Sequence, residues 1–503
     1  MHCDPRSGSR AYRRVVVVLL MLAYSFNAAH RSLVPVIAQA MKVDLKLSDT
    51  QLGVLAGTAF ASLYALCGIP IARLAERVSR VTIIAVALAA WSGLTALCAA
   101  AGSFAQLLAL RVGIGIGEAG CSAPAHSLIS DYYDHSRRTT ALSVYSCGLS
   151  LGYLFVSVVG GYVVLHAGWR SACVAVGLPG IAVALLIRRY IAEPPRGQAD
   201  GAAPEPPPRF ALPAELAELG AVARALLLRW PSANVIAGIT VASFASYGSY
   251  VFIPAYFNRA YGLDFATIGV VLGLAGSIPV AAGTLLGGTV TDFLAARSAR
   301  WYALVPAAGL LLATPLYLAA FVQPVWRSAA LLLALAGFCQ YVTLGPTFGI
   351  VQNVVAVRQR ATATALLYLC LTLLALAGGP PFTGWLIDRL AAMHFVHPGA
   401  SWLATAVTGS GSETAAAGAA FRSACPGGIA LPGAAPAVTG ACAGSLALAS
   451  RQGIMLTLLL YLWGAAHYLL GSVGLARQIE RSRASLTAVT GSAAPPAQVV
   501  SSR

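Results

Sequence analysis

Between residues 104 and 130 the chain runs through Arg111-Val112-Gly113-Ile114-Gly115-Ile116-Gly117-Glu118-Ala119, an arginine, three alternating glycines and a glutamate inside an otherwise apolar stretch. The stretch is long enough to cross a bilayer as a helix, which takes about 20 apolar residues. A charge in hydrocarbon costs roughly 2.5–3.5 kcal/mol on insertion scales, so Glu118 needs a partner or a task. Of the 17 acidic residues, it is the one that the apolar pattern places deep in a span.

Eleven further runs of this kind flank it. They read approximately as 15–40, 50–74, 81–101, 139–165, 170–190, 233–258, 266–291, 301–322, 328–353, 361–387 and 452–475. The composition agrees: 58% of residues are hydrophobic and only 10% charged, against roughly 25% charged in a soluble domain, and the mean hydropathy is +0.75. The expected fold class is therefore all-α, a polytopic membrane protein of twelve transmembrane helices in two pseudo-symmetric six-helix bundles. The first run is too long for a signal-peptide core and reads as an uncleaved first helix.

The net charge of +16 is not a nucleic-acid signal, because the arginines sit in short loops between apolar runs and build no polar face. With the N-terminus in the cytoplasm, that side collects 23 of the 33 basic residues and the other side 8. Such a bias places both termini in the cytoplasm. High Ala and Arg with few Lys suits a GC-rich bacterium, so the expected location is a bacterial inner (cytoplasmic) membrane. The expected organisation is an N-terminal bundle over 1–192, a Pro-rich linker with a surface helix over 193–230, a C-terminal bundle over 231–480 and a tail over 481–503. The second bundle includes a long outer loop at 388–451. The halves read as weak repeats: Pro124 precedes Arg138 by the same distance as Pro346 precedes Arg360, and Gly160-Gly161 and Gly378-Gly379 follow in turn.

The candidate site follows from helical spacing. Asn27, His30 and Arg31 stand at i, i+3 and i+4, on one side of the first helix. At 1.5 Å per residue His30 lies ~24 Å from the start of its run and Glu118 ~21 Å from the start of its own, so both fall near mid-membrane. Arg111 and the His30-Arg31 pair are the candidate partners of Glu118. The glycines let a neighbouring helix approach closely, Gly113 and Gly117 being spaced as in a small-residue packing motif. This group is expected to bind an anionic head group or to couple transport to protons. At the cytoplasmic end of helix 2, Arg73, Glu76, Arg77 and Arg80 form an acid-and-arginine series able to pair across to another helix and latch one conformation.

The ten cysteines show no metal-binding pattern. The topology places only Cys425 and Cys442 on the oxidising side, where a disulfide between them is expected; two free thiols are the alternative. No phosphate-binding glycine loop, nucleophile triad or metal-ligand spacing stands out, so the chain is not expected to be an enzyme or to hold a metal or cofactor.

Four stretches resemble the major facilitator superfamily, and within it the spinster-like branch. The loop Ala72–Arg80 is similar to the superfamily signature G-x-L-a-D-R-x-G-R-K, and Arg111–Ala119 to the branch's R-x-G-x-G-x-G-E-A. Asp131-Tyr132-Tyr133 with Arg137-Arg138 resembles its D-x-F…R-R turn, and Gly168-Trp169-Arg170 the entry to its sixth helix. The second half matches mainly at Leu344-Gly345-Pro346 and Arg358–Thr362. The resemblance implies a carrier that alternates between inward- and outward-facing states, often proton-coupled, and adds Asp131 and Arg138 to the latch. Eukaryotic members handle lysophospholipids and phosphorylated sphingoid bases.

The chain departs from the branch in three ways. It has Asn27-Ala28-Ala29-His30-Arg31 where the branch has N-x-x-D-R, so a group that gains charge on protonation replaces one that loses it. Ala72, Glu76, Ser79 and Val81 replace Gly, Asp, Gly and Lys in the loop signature. The outer loop is longer than the family needs. The function expected is secondary transport of an amphipathic or organic-anion substrate, lysolipid-like by resemblance, by a monomer in the lipid bilayer. The rivals are a drug or metabolite exporter of the same fold and a non-transporting membrane receptor or regulator.

Overall fold

The computed structural model describes residues 9–75, 77–133, 135–196, 212–355, 359–399 and 411–481. Regular structure among them is helical throughout. Eleven segments are long and apolar enough to cross a membrane. Ten of them are α1 (Arg10–Leu45), α2 (Asp49–Gly68), α3 (Arg80–Ala100), α4 (Phe104–Tyr132), α7 (Trp230–Tyr261), α8 (Phe265–Ala295), α9 (Trp301–Phe321), α10 (Trp326–Val351), α11 (Thr362–Val396) and α12 (Pro436–Ser472). The eleventh, Thr140–Tyr190, holds 51 residues, ~77 Å of helix at 1.5 Å per residue against ~30 Å of hydrocarbon. Gly168 breaks it, at φ 79° and ψ 170°, a backbone state open to a residue without Cβ. The segment therefore crosses twice, as α5 (140–167) and α6 (169–190), and the described chain makes twelve crossings.

An even number of crossings returns the chain to its starting face. Arg10, Arg80 and Arg138 share that arginine-rich face; Leu45, Asp49, Gly262 and Cys425 share the other, called here the Asp49 face. In the first six helices α1 packs along α5 and α6, α3 along α6, and α2 and α3 flank α4. In the last six, α7 packs on α11 and α12, α9 on α10 and α12, and α8 on α10. The two groups meet where α2 lies on α11, α1 on α7 and α5 on α8. At the first of these contacts backbones touch: a Cβ on Gly53 would stand 2.3 Å from the Pro380 carbonyl oxygen.

Buried charge seals the Asp49 face. The Asp49 carboxylate, with no exposure, accepts from Lys42 at 2.5 Å and from Arg259 at 2.7 and 3.3 Å. Arg259 also donates to Gln39 at 2.8 Å and Ser450 at 2.7 Å. The Asp388 carboxylate accepts the Asp49 and Thr50 amides, at 2.9 and 2.8 Å, and the Thr50 hydroxyl at 2.6 Å, so it caps the start of α2 from α11 and stabilises its free amide groups. These bonds tie α1 and α2 to α7, α11 and α12.

Two expectations about connections need correction. The segment 388–451 is not a long loop. Its first residues continue α11 to Val396, Gly411–Ala424 forms a separate helix, and Pro436 opens α12 sixteen residues before the expected start at 452. Alanine is the strongest helix former and supplies Ala415, Ala416, Ala417, Ala419 and Ala420, while a proline suits the first turn of a helix. The segment packs through apolar residues: Ala417, Phe421, Cys425, Cys442 and Leu446 are buried. The second correction is at 193: Glu193–Arg196 lies folded against the α2–α3 connection, with Arg196 donating to the Ala75 carbonyl at 2.7 Å. The rest of the Pro-rich linker, 197–211, and the tail 482–503 lie outside the described residues. The expected surface helix is Leu212–Leu227, with Val222 and Leu226 buried.

Candidate functional site

The site is built where α1 crosses α3 and α4. Glu118 has no exposure. Its Oε2 accepts from Arg31 Nε at 2.8 Å and Asn27 Nδ2 at 3.1 Å, two residues one turn apart on α1. Its Oε1 is buried and has no hydrogen-bond partner among the described residues. The alternating glycines do the expected work: a Cβ on Gly117 would stand 3.1 Å from the Trp91 Cβ, so α3 closes onto α4 beside Glu118.

Arg31 is the accessible member of the pair, its side chain 32% exposed. Its guanidinium lies over the Phe60 and Tyr64 rings of α2, 5.0 and 4.5 Å from their centroids. The second expected partner, Arg111, turns away from Glu118. It donates to the backbone carbonyls of Leu55 at 3.1 Å and His30 at 3.4 Å, and lies 5.6 Å from the Phe60 ring. Arginine does not lose its proton in proteins, so two cations and one carboxylate stand together here. One positive charge is in surplus.

His30 does not pair with Glu118. Its Nδ1 accepts the Trp91 indole N–H at 2.9 Å, and both rings are fully buried. An accepting Nδ1 fixes the neutral tautomer with the proton on Nε2. Successive residues of a helix point ~100° apart, so His30 meets α3 while Arg31 meets α4.

Tyr64 of α2 lies against Arg31, and three further tyrosines stand within electrostatic reach of Arg31 or of Tyr64. Tyr24 of α1 and Tyr247 of α7 are within Coulombic range of the Arg31 guanidinium, and Tyr368 of α11 is within range of Tyr247 and Tyr64. Two of the four lie on α2 and α11. The four are among 19 tyrosines spread along the chain, and no local pattern marks them.

On the arginine-rich face, Arg80 is almost fully buried. It is bonded to Asp131 of α4, to Glu193 at 2.7 Å, to Ser127 Oγ at 2.8 Å and to the Pro194 carbonyl at 3.2 Å. Glu193, read from sequence only as the start of the linker, also accepts the Val81 amide at 3.0 Å and the Ser79 hydroxyl at 2.9 Å. Arg138 donates to the Tyr133 and Ser130 carbonyls at 3.3 and 2.9 Å. Arg77 is exposed; Glu76 and the Arg73 side chain lie outside the described residues. Among the described residues no cluster of His, Cys, Asp and Glu could hold a metal. The Cys425 and Cys442 sulfurs are bonded, Cα to Cα 5.7 Å. The adjoining Gly427 packs on the end of α1, where its Cβ would lie 2.9 Å from the Lys42 carbonyl oxygen.

A profile of the Major Facilitator Superfamily matches residues 20–379. An MFS-type efflux pump of Mycolicibacterium smegmatis is 33% identical over 77% of this chain and 87% of that protein. A probable L-galactonate transporter of Escherichia coli is 24% identical over 74% and 82%. Among solved structures, a bacterial homolog to the human lysosomal transporter spinster, inward-facing and unoccupied, superposes with a TM-score of 0.77 at 30% identity. That match covers 94% of this chain and 99% of the other.

Proposed function

The chain belongs to the major facilitator superfamily of transporters, in its spinster-like branch, and from that premise we propose that it is a proton-linked carrier of organic anions working by alternating access. One observation carries the reading: an arginine with a partly exposed side chain, Arg31, bonded to a fully buried carboxylate, Glu118, in a site with surplus positive charge. An anion that reaches the site meets Arg31. Once the guanidinium turns to it, Glu118 loses its counter-charge, and a bare carboxylate in hydrocarbon is costly. A proton on Glu118 removes that cost, and Oε1 is the oxygen with no donor of its own. Anion and proton then favour each other's binding, and linkage makes the effect reciprocal.

In this reading, which the charge bias supports, the arginine-rich face lies in the cytoplasm of a bacterial inner membrane and the chain works as a monomer made of two six-helix halves. The sealed Asp49 face then belongs to the inward-facing state. Breaking the Asp49 and Asp388 contacts opens the way out, and the Arg80–Asp131–Glu193 cluster keeps the first six helices together at the other face while they move.

The test uses the full chain in proteoliposomes with labelled organic anions. A proton gradient should accelerate net flux. Glu118→Gln should lose that acceleration and keep exchange at equal pH; pH-driven flux unchanged in this variant overturns the coupling. A second reading, export of drugs or metabolites, is favoured by the similarity to a mycobacterial efflux pump. Under it, flux of cationic or neutral compounds persists in Arg31→Gln. A receptor or regulator of the same fold would carry no flux of either kind.

A further inference from the structure

We propose that the Arg31 site selects anions with a flat aromatic body, a monocarboxylate on one ring, over aliphatic acids, sugar acids and acyl-chain anions of equal charge. The inference rests on Arg31 as the head-group residue and adds what holds the rest of the substrate. Tyr64 lies against the guanidinium, Tyr24 and Tyr247 are within its Coulombic range, and Tyr368 is near Tyr247 and Tyr64. Two of the four come from each half of the molecule.

Tyr247 is 37% exposed and Tyr368 55% exposed, yet each is close to tyrosines of the opposite half. Both therefore stand beside the seam between the halves. The rings are also held in place. Tyr24 stacks on Tyr145 with centroids 4.7 Å apart and planes 15° apart, Tyr64 stacks on Phe60 at 5.4 Å, and Tyr368 meets Phe348 at 5.4 Å. Rings fixed by other rings offer flat faces with little conformational freedom left to lose, and an aromatic guest matches them by stacked and edge contacts. Its carboxylate fits the fork of Arg31.

The competing bodies fit less well. A sugar acid needs fixed amide or carboxylate partners around its hydroxyls. The amide of Asn27 is taken by Glu118, and that of Gln340 by Ser246 at 2.5 Å and Tyr317 at 2.7 Å. An acyl chain has no π face to set against these rings and forgoes their stacked and edge contacts. It is also denied a side exit between α5 and α8 on the Asp49 side, where a Cβ on Gly269 would stand 1.9 Å from the Ser157 carbonyl oxygen.

The test is counterflow of labelled benzoate in proteoliposomes of the full chain, with unlabelled benzoate, cyclohexanecarboxylate, gluconate and octanoate as competitors. Thermal stabilisation of the purified protein by the same four acids gives a second readout that needs no flux. Benzoate should exchange and compete at least about tenfold better than cyclohexanecarboxylate, which has the same charge and nearly the same size. Tyr247→Leu and Tyr64→Leu should each erase most of that preference, while Tyr247→Phe retains it. Equal competition by cyclohexanecarboxylate, or better competition by gluconate or octanoate, overturns aromatic selection and leaves the anion carrier standing. No response to any of the four acids overturns both.

Discussion

Replacing Asp49 by Asn should break open the closed face. The carboxylate is buried and is the shared partner of Lys42 and Arg259, whose side chains are 2% and 4% exposed. The amide that replaces it cannot neutralise either cation. Removing one partner of a buried ion pair costs about 3–5 kcal/mol, because it strands the other charge. Here the penalty falls on the closed state, since opening lets water reach both cations. At 1.4 kcal/mol per tenfold, the closed-to-open ratio should fall by about 10² to 4 × 10³. The assay is the labelling rate of Leu52→Cys, a position on α2 with no exposure in the closed state, by a membrane-impermeant maleimide applied from the Asp49 face. It is compared with and without Asp49→Asn in a background free of the other reduced cysteines. Adding Arg259→Gln should restore part of the protection by removing one stranded cation. Labelling that stays within twofold of the parent would refute the idea that this network holds the face shut.

His30→Gln should leave the pH profile of transport unchanged, because the ring serves as a neutral acceptor for Trp91, whereas His30→Asp should move the profile by adding a second carboxylate; identical profiles in all three proteins would show that a carboxylate at this position does not titrate with transport. Arg80→Ala should slow transport at least tenfold with the order of substrates preserved, while exposed Arg77→Ala changes the rate less than twofold; a reordered substrate series in Arg80→Ala would contradict a purely conformational role. The Cys425–Cys442 bond should keep both thiols from maleimide until reductant is added, and its removal should destabilise the folded segment by roughly 3 kcal/mol in the chain-entropy model; labelling of both cysteines without reductant would show free thiols.

Apolar length made the crossings legible, because lipid leaves a spanning backbone few options besides the helix. Even Gly168, where the helical regularity of the run gives way, sat between two of the expected spans. The meeting of Asn27 and Arg31 with Glu118 was also legible, since i, i+4 spacing and depth are fixed by helix geometry. The direction of His30 was not: its spacing placed it near the same face, but the indole that claims it lies 61 residues away. The Asp49 network was hidden for another reason. Charges at helix ends read as topology signals, and Asp388 reaches Thr50 across 338 residues. The helix Gly411–Ala424 escaped because an alanine-rich, weakly apolar stretch lacks the periodicity that marks an amphipathic helix.

That Glu118 is, among the described residues, the single carboxylate beside Arg31 and Arg111, and takes up one proton per anion in the proposed cycle, has an electrical consequence. A monoanion carried with one proton moves no net charge across the membrane, so the membrane potential does no work on the loaded step. A dianion carried with the same single proton moves one negative charge, and each 100 mV then changes the energy of that step by about 2.3 kcal/mol. One carrier would thus treat two substrates differently in a respiring cell: the monoanion follows the pH difference alone, and the dianion is driven toward the positive side. A potassium diffusion potential imposed on proteoliposomes at equal pH separates the two cases.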